Sequence, residues 1–167
     1  PVRVLGPLPG MVLRRLDCGL TCEADLASLA GMPLEFLSVS YSQIRDLTPL
    51  RGLPLKALYV EGQPICDLSP LKGMPLESLG LYATRVSDLS VLQGMPLHYL
   101  NCEATDVRDL SPVARAPLTR LCISRTGVDD LRPLSGMRLV EFVYAEIPAC
   151  DVAVLKDMAL RRVFSDF

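Results

Sequence analysis

The sequence has a single histidine, His98, in 167 residues. A histidine-based catalytic group or metal cluster would have to be built on that one side chain, with no second histidine to assist it. His98 follows Leu97 at the start of a strand-like stretch, and Ser78, one repeat earlier, carries nothing that marks it as a nucleophile. The residues therefore read as a protein that is not an enzyme, with His98 an ordinary surface residue. Cysteine occurs six times but never as a CxxC pair, and the spacing follows the repeat rather than a disulfide framework. Free thiols in a reducing compartment, the cytoplasm, are the expectation. No apolar run approaches the roughly 18 to 20 residues that a membrane span needs, so membrane insertion is not expected. Charge of one sign is also lacking: 17 basic against 19 acidic residues give a net charge of −2. The basic residues are not gathered in one column, which argues against a nucleic-acid partner. Glycines fall singly and never cluster into a phosphate-binding loop, so no cofactor is expected.

What is present is hydrophobic and periodic. Half the residues are apolar, enough in a chain of this length to build a buried core. Gly10, Gly31, Gly52, Gly73, Gly94 and Gly136 fall in one phase with a period of 21, and Arg115 and Asp157 fill the same slot in two further copies. The unit is G-M-P-L-x-x-L-x-L-x-x-T-x-V-x-D-L-S-P-L-x. Seven full units begin at 10, 31, 52, 73, 94, 115 and 136, with partial units at 1–9 and 157–167, and the whole chain 1–167 reads as one repeat domain.

In the unit from Gly73, the residues Leu76, Leu79 and Leu81 match the L-x-x-L-x-L signature of leucine-rich repeats. Alternation across Leu79, Gly80, Leu81 and Tyr82 has the period of a strand, with the leucines inward and Ser78, Gly80 and Tyr82 outward. Val86, Leu89 and Leu92 then carry the chain back across the core. One unit cannot bury these residues alone; stacked copies can, with one parallel strand per coil. The fold class expected is an α/β repeat solenoid, with a parallel sheet on the concave face and short 3₁₀ or irregular turns on the convex face. The aspartates at 25, 46, 67, 88, 109, 130 and 151 recur in one slot. A recurring carboxylate suggests a metal site. The better reading is that Asp-Leu-Ser-Pro-Leu opens a tight turn, with Asp or Ser satisfying free N–H groups and Pro at the first helical position.

The slot after the strand, where the usual repeat has an Asn that ties adjacent backbones together, holds Thr21, Ser42, Gln63, Thr84, Thr105, Thr126 and Ile147. Thr and Ser reach nearby backbone groups only, and Ile147 reaches none. The unit of Ile147 also lacks both prolines (Arg138 and Val154), so the coil is expected to be least regular over 136–157. Among the cysteines, Cys18 and Cys102 take inward strand slots. Cys122 takes an outward one and is expected to be partly exposed, the one thiol that a lowered pKa would make reactive. Cys66 and Cys150 share a slot on the return turn, and Cys22 lies in a neighbouring part of its own unit.

With these motifs the chain resembles the internalin-like class of bacterial leucine-rich repeats. The compact G-M-P-L start and the threonine slot resemble repeats in large planctomycete-type proteins. The resemblance covers essentially the whole chain and implies a recognition module whose partner is chosen by the variable positions. The threonine slot departs from the pattern, and no end-capping motif is recognisable.

Those variable positions are the outward strand slots. The chain has only nine aromatic residues, yet Phe36, Tyr59, Tyr82, Tyr99 and Phe164 all fall there, with Tyr41 beside them. Tyr is enriched where binding energy concentrates. Glu61 and Glu103 flank Tyr82 in its column, one coil to each side. The expected partner-binding set is Phe36, Tyr59, Glu61, Tyr82, Tyr99 and Glu103, an aromatic patch with an acidic edge suited to a protein or peptide bearing apolar and basic groups. Against it stands the ordinary preference of Tyr for strands and cross-strand packing. The alternative role is a rigid spacer or assembly element that associates end to end through the open edge near Leu160 to Phe167.

Overall fold

A computed structural model of the chain describes residues 11–19, 26–148, 152–156 and 158–164. Asp25, Asp151, Cys22, Cys150 and Thr21 lie outside the described residues. Each coil contributes one three-residue strand: β1 Arg15–Asp17, β2 Phe36–Ser38, β3 Ala57–Tyr59, β4 Ser78–Gly80, β5 Tyr99–Asn101, β6 Arg120–Cys122, β7 Glu141–Val143 and β8 Arg162–Phe164. They form one parallel sheet in strict chain order. The register is the sequence period itself. Leu16, Leu37, Leu58, Leu79, Leu100, Leu121, Phe142 and Val163 stand side by side, so every pair is offset by 21 residues. A slip by one residue would turn this whole row of apolar side chains outward.

The core runs the length of the stack. In the coil from Gly73, Met74, Leu76, Leu79, Leu81, Val86, Leu89 and Leu92 are all buried, and the neighbouring coils repeat the set. Burying one such leucine contributes about 1.5–3 kcal/mol. Between strands the chain returns through 3₁₀ turns at Ala27–Leu29, Thr48–Leu50, Ser69–Leu71, Ser90–Leu92, Ser111–Val113, Arg132–Leu134 and Val152–Leu155. The short 3₁₀ return anticipated from the D-L-S-P-L spacing is therefore present. The last turn begins one slot early and buries none of its residues, in the unit that lacks both prolines.

The recurring aspartate is a backbone clamp. Its Oδ1 accepts from the N–H two residues on, at 2.7 Å for Asp46, Asp67 and Asp88, 2.8 Å for Asp109 and 2.9 Å for Asp130. This is an Asx turn that opens these five 3₁₀ segments. The serine that follows does not cap. Ser69, Ser90 and Ser111 instead donate their hydroxyls to the other aspartate oxygen and hold it in place.

The threonine slot acts locally, as its short reach requires. Thr84, Thr105 and Thr126 each donate to the carbonyl three residues back, Leu81, Cys102 and Ile123. Gln63 alone among the described members of this slot is seen bridging coils: its Nε2 donates to the Val39 carbonyl and its Oε1 accepts from the Ile44 N–H.

The unit boundary explains its glycine. Lys72 has φ −53° and ψ 126°, Gly73 has φ +75°, and the Met74 N–H donates to Leu71. That is a type II turn, which needs a left-handed third residue and hence glycine. Arg115 fills the slot in the sixth unit by a different turn. Ala114 has φ −56° and ψ −22°, while the Ala116 N–H still donates to Val113. The central peptide is rotated to type I, which an arginine tolerates.

Candidate functional site

The outward side chains of the strands make a continuous face, and its aromatic residues meet there. The Phe36 and Tyr59 rings lie 5.7 Å apart, and the Tyr59 and Tyr99 rings 6.4 Å. Tyr59 and Tyr99 are two coils apart, so something must let one ring lean across the coil between them. That residue is Gly80. A Cβ there would fall 2.7 Å from Tyr59 Cδ1 and 2.8 Å from Glu61 Oε1. Gly80 is thus a saddle over which the Tyr59 ring lies, and it is buried for that reason.

The band is closed by cations at both ends. The Arg15 guanidinium sits 3.5 Å from the Phe36 ring centre, and that of Arg120 lies 5.5 Å from Tyr99. Such contacts contribute about 0.5–1 kcal/mol at exposed sites. Arg120 also pairs with Glu141 at 2.7 Å, and Arg162 with the same carboxylate at 3.2 Å. Along the row, Arg15, Phe36, Tyr59, Tyr99, Arg120, Glu141 and Arg162 form one chain of contacts. The four rings Phe36, Tyr59, Tyr82 and Tyr99 stay half-exposed; Phe36, Tyr59 and Tyr99 pack against one another with part of their surface and leave the rest to solvent.

Tyr82 stands apart from this band. Its hydroxyl lies 3.1 Å from Arg125 Nη2, which donates to it, and the guanidinium lies 5.7 Å from the ring centre. The acidic edge is in place: Glu61 and Glu103 are close enough that the Glu103 charge, after burial as the larger cause, raises the Glu61 pKa. Arg125 leans over the same column and tempers the edge. Tyr41 lies off the strand face, 51% exposed, with its ring over Gly62. Phe164 is 55% exposed at β8, away from the other rings.

The expectation for Cys122 is corrected. It occupies an outward slot but is only 5% exposed. Burial, followed by the Glu103 charge, pushes its pKa up to about 11. A thiol so held is protonated at neutral pH and is not a nucleophile. Cys102 fits its inward slot, fully buried and pushed up to about 12 chiefly by burial. Tyr99, above Cys122, is likewise raised to about 12 by burial and keeps its hydroxyl proton. Sequence reasoning singled out the aromatic residues and both glutamates. It missed Gly80, Arg15, Arg120 and Arg125, although a glycine in an outward slot between tyrosines, and arginines one coil beyond the aromatic stretch, were visible signals.

No protein-family model and no curated protein matches the chain. Solved structures do. An internalin, InlF, of Listeria monocytogenes is similar with a TM-score of 0.82 and 28% identity over 87% of this chain. Internalin C2 of the same organism is similar with a TM-score of 0.72 and 26% identity over 92% of it. The functional domain of InlJ, also from Listeria monocytogenes and reported to include a cysteine ladder, superposes with a TM-score of 0.68 at 20% identity over 90% of the chain. The chain spans 45% of the InlF chain, 80% of the internalin C2 chain and 34% of the InlJ chain. With its 21-residue period, single parallel sheet and 3₁₀ returns, the protein is an internalin-like leucine-rich-repeat solenoid.

Proposed function

We propose that this repeat module is a non-catalytic protein-interaction element that takes a partner protein or peptide on the open face of its sheet. The observation that carries this reading is the half-exposed aromatic band of Phe36, Tyr59 and Tyr99, with Tyr82 and the Glu61–Glu103 pair beside it. Rings that stack on one another lose little conformational freedom on binding, because their neighbours already restrict them. They offer a rigid apolar surface of the kind on which binding energy concentrates. The two glutamates, one of them disfavoured as an anion by burial, favour a partner that brings cationic groups alongside its apolar ones. Spacing between coils, about 4.8 Å per strand, suits an extended segment lying across the strands.

The test compares the folded protein with its Tyr59/Tyr82/Tyr99 triple-Ala variant as bait in native lysate, with circular dichroism confirming that both are folded. A protein held by the parent and lost by the variant is the expected result. Equal capture by both, or capture by neither, would remove the sheet face as the binding surface.

A further inference from the structure

The residue after the unit boundary, methionine in most units, forms its own ladder along the flank that leads into the strands: Met32, Leu53, Met74, Met95 and Met137 are buried, at 9% exposure or less, while Met11 near one end of the stack is 49% exposed. The sixth unit breaks it. Ala116 stands where the other inner units carry methionine or leucine, directly after the one boundary turn among the described residues that is type I rather than type II. Ala116 lies in the wall of an open hollow of about 470 Å³, together with Pro117, Leu118 and Met137. Its rim is basic. His98, Arg115 and Arg138 all line it and are exposed, and no carboxylate does. Neither arginine makes an ion pair among the described residues. Arg115 is also the residue that replaces the boundary glycine, so the lost methionine and the added charge fall in the same unit.

We infer that this flank hollow is a second binding site, which takes an acidic peptide segment of a partner by seating one linear apolar side chain, methionine-sized, in the hollow beside Ala116 while its carboxylates meet Arg115, Arg138 and His98. The neighbouring coils define the apolar half of this ligand, because Met95 and Met137 show what the slot accommodates. Charge complementarity defines the other half: arginines recognise carboxylates by paired N–H donors, and unpaired ones need not surrender an existing partner. The site is separate from the sheet face.

The probe is a fluorescently labelled, end-blocked peptide Glu-Asp-Met-Asp-Glu, followed by anisotropy with the whole chain. Saturable binding that weakens with added salt is expected, because exposed charges are screened over about 8–10 Å at moderate ionic strength. Ala116→Met narrows the hollow at its apolar wall with the residue that the repeat itself prefers. It should weaken binding at least about tenfold while raising Tm by about 2–4 °C, as added burial does in a chain of this size. Arg115→Gly with Arg138→Gln should weaken binding and flatten its salt dependence. The peptide with Gly in place of Met, or with Lys in place of the acids, should bind at least about tenfold less tightly. The Tyr59/Tyr82/Tyr99 variant should bind the probe as the parent does. Absence of saturable binding, undiminished binding by Ala116→Met, equal binding of the Gly peptide, loss of binding in the tyrosine variant, or a fall in Tm on Ala116→Met would each overturn the assignment.

Discussion

Glu61 shows how one side chain can be set against stability. Burial, and then the charge of Glu103, raise its pKa above the ordinary carboxylate value. A carboxyl whose folded pKa lies above its unfolded one contributes stability in its protonated form. That contribution is complete below the unfolded pKa and is lost as pH rises through the folded value. At neutral pH the ionised Glu61 therefore costs stability. Glu61→Gln should unfold at a higher temperature than the parent at pH 7, and the difference should close below about pH 4, where the parent carboxyl is protonated. Thermal melts at pH 7 and pH 3.5 check this, and a variant no more stable at pH 7 would contradict the raised pKa. If the sheet face takes a basic partner, the same substitution weakens its capture, because the partner's cation is what would relieve the charge. Both glutamates were legible as an acidic pair from their column. That Glu61 is the strained one was not, because its carboxylate lies over Gly80 of the next coil, a neighbour 19 residues away in sequence.

At the scale of the element, each turn is specified by four or five consecutive residues. The aspartate clamps the N–H two residues on and the serine braces the aspartate. Asp109→Ala releases both contacts around Ser111 and should destabilise the protein by about 1 kcal/mol, the usual cost of losing a turn-opening acceptor. Chemical denaturation, with the midpoint shifted and the slope unchanged, is the measurement. An effect indistinguishable from zero would mean that packing of Leu110 and Val113 alone sets the turn. Local chemistry of this sort is readable from sequence because donor and acceptor lie two residues apart. The division of labour within it is not: Ser was as reasonable a cap as Asp, and the geometry places its hydroxyl on the carboxylate instead. The strand slots were legible to the same degree. Inward and outward positions followed from the period, but Cys122 was assigned exposure because it points outward. An outward residue is buried when its neighbours are large and lean over it, and alternation carries no information about that.

For the whole molecule the period is the organising quantity. Every strand pair is offset by 21 residues, so removal of one complete unit leaves each remaining contact with an equivalent partner. Deletion of residues 73–93 joins Lys72 to Gly94 and should give a folded protein. Its circular dichroism per residue should match the parent, and its denaturant slope should fall roughly in proportion to the surface lost, because stability in such arrays is a sum over coils and their interfaces. Deletion of ten residues from the same unit should instead abolish cooperative unfolding. A 21-residue deletion that fails to fold would mean that the coils are not interchangeable.

The period, the phase of the leucines, the order of strands and returns, and the class of the solenoid all follow from the amino-acid sequence alone. They depend on core and ladder contacts that recur from coil to coil, so one unit predicts the next. The tertiary structure decided everything that differs from coil to coil. It laid Tyr59 over Gly80 to reach Tyr99, placed Arg15 and Arg120 at the ends of the aromatic band, buried Cys122, and set Arg115 and Arg138 on the rim of the hollow beside Ala116. Each of these depends on the sizes of side chains that meet only after the coils are stacked, and a repeat pattern averages over just those differences.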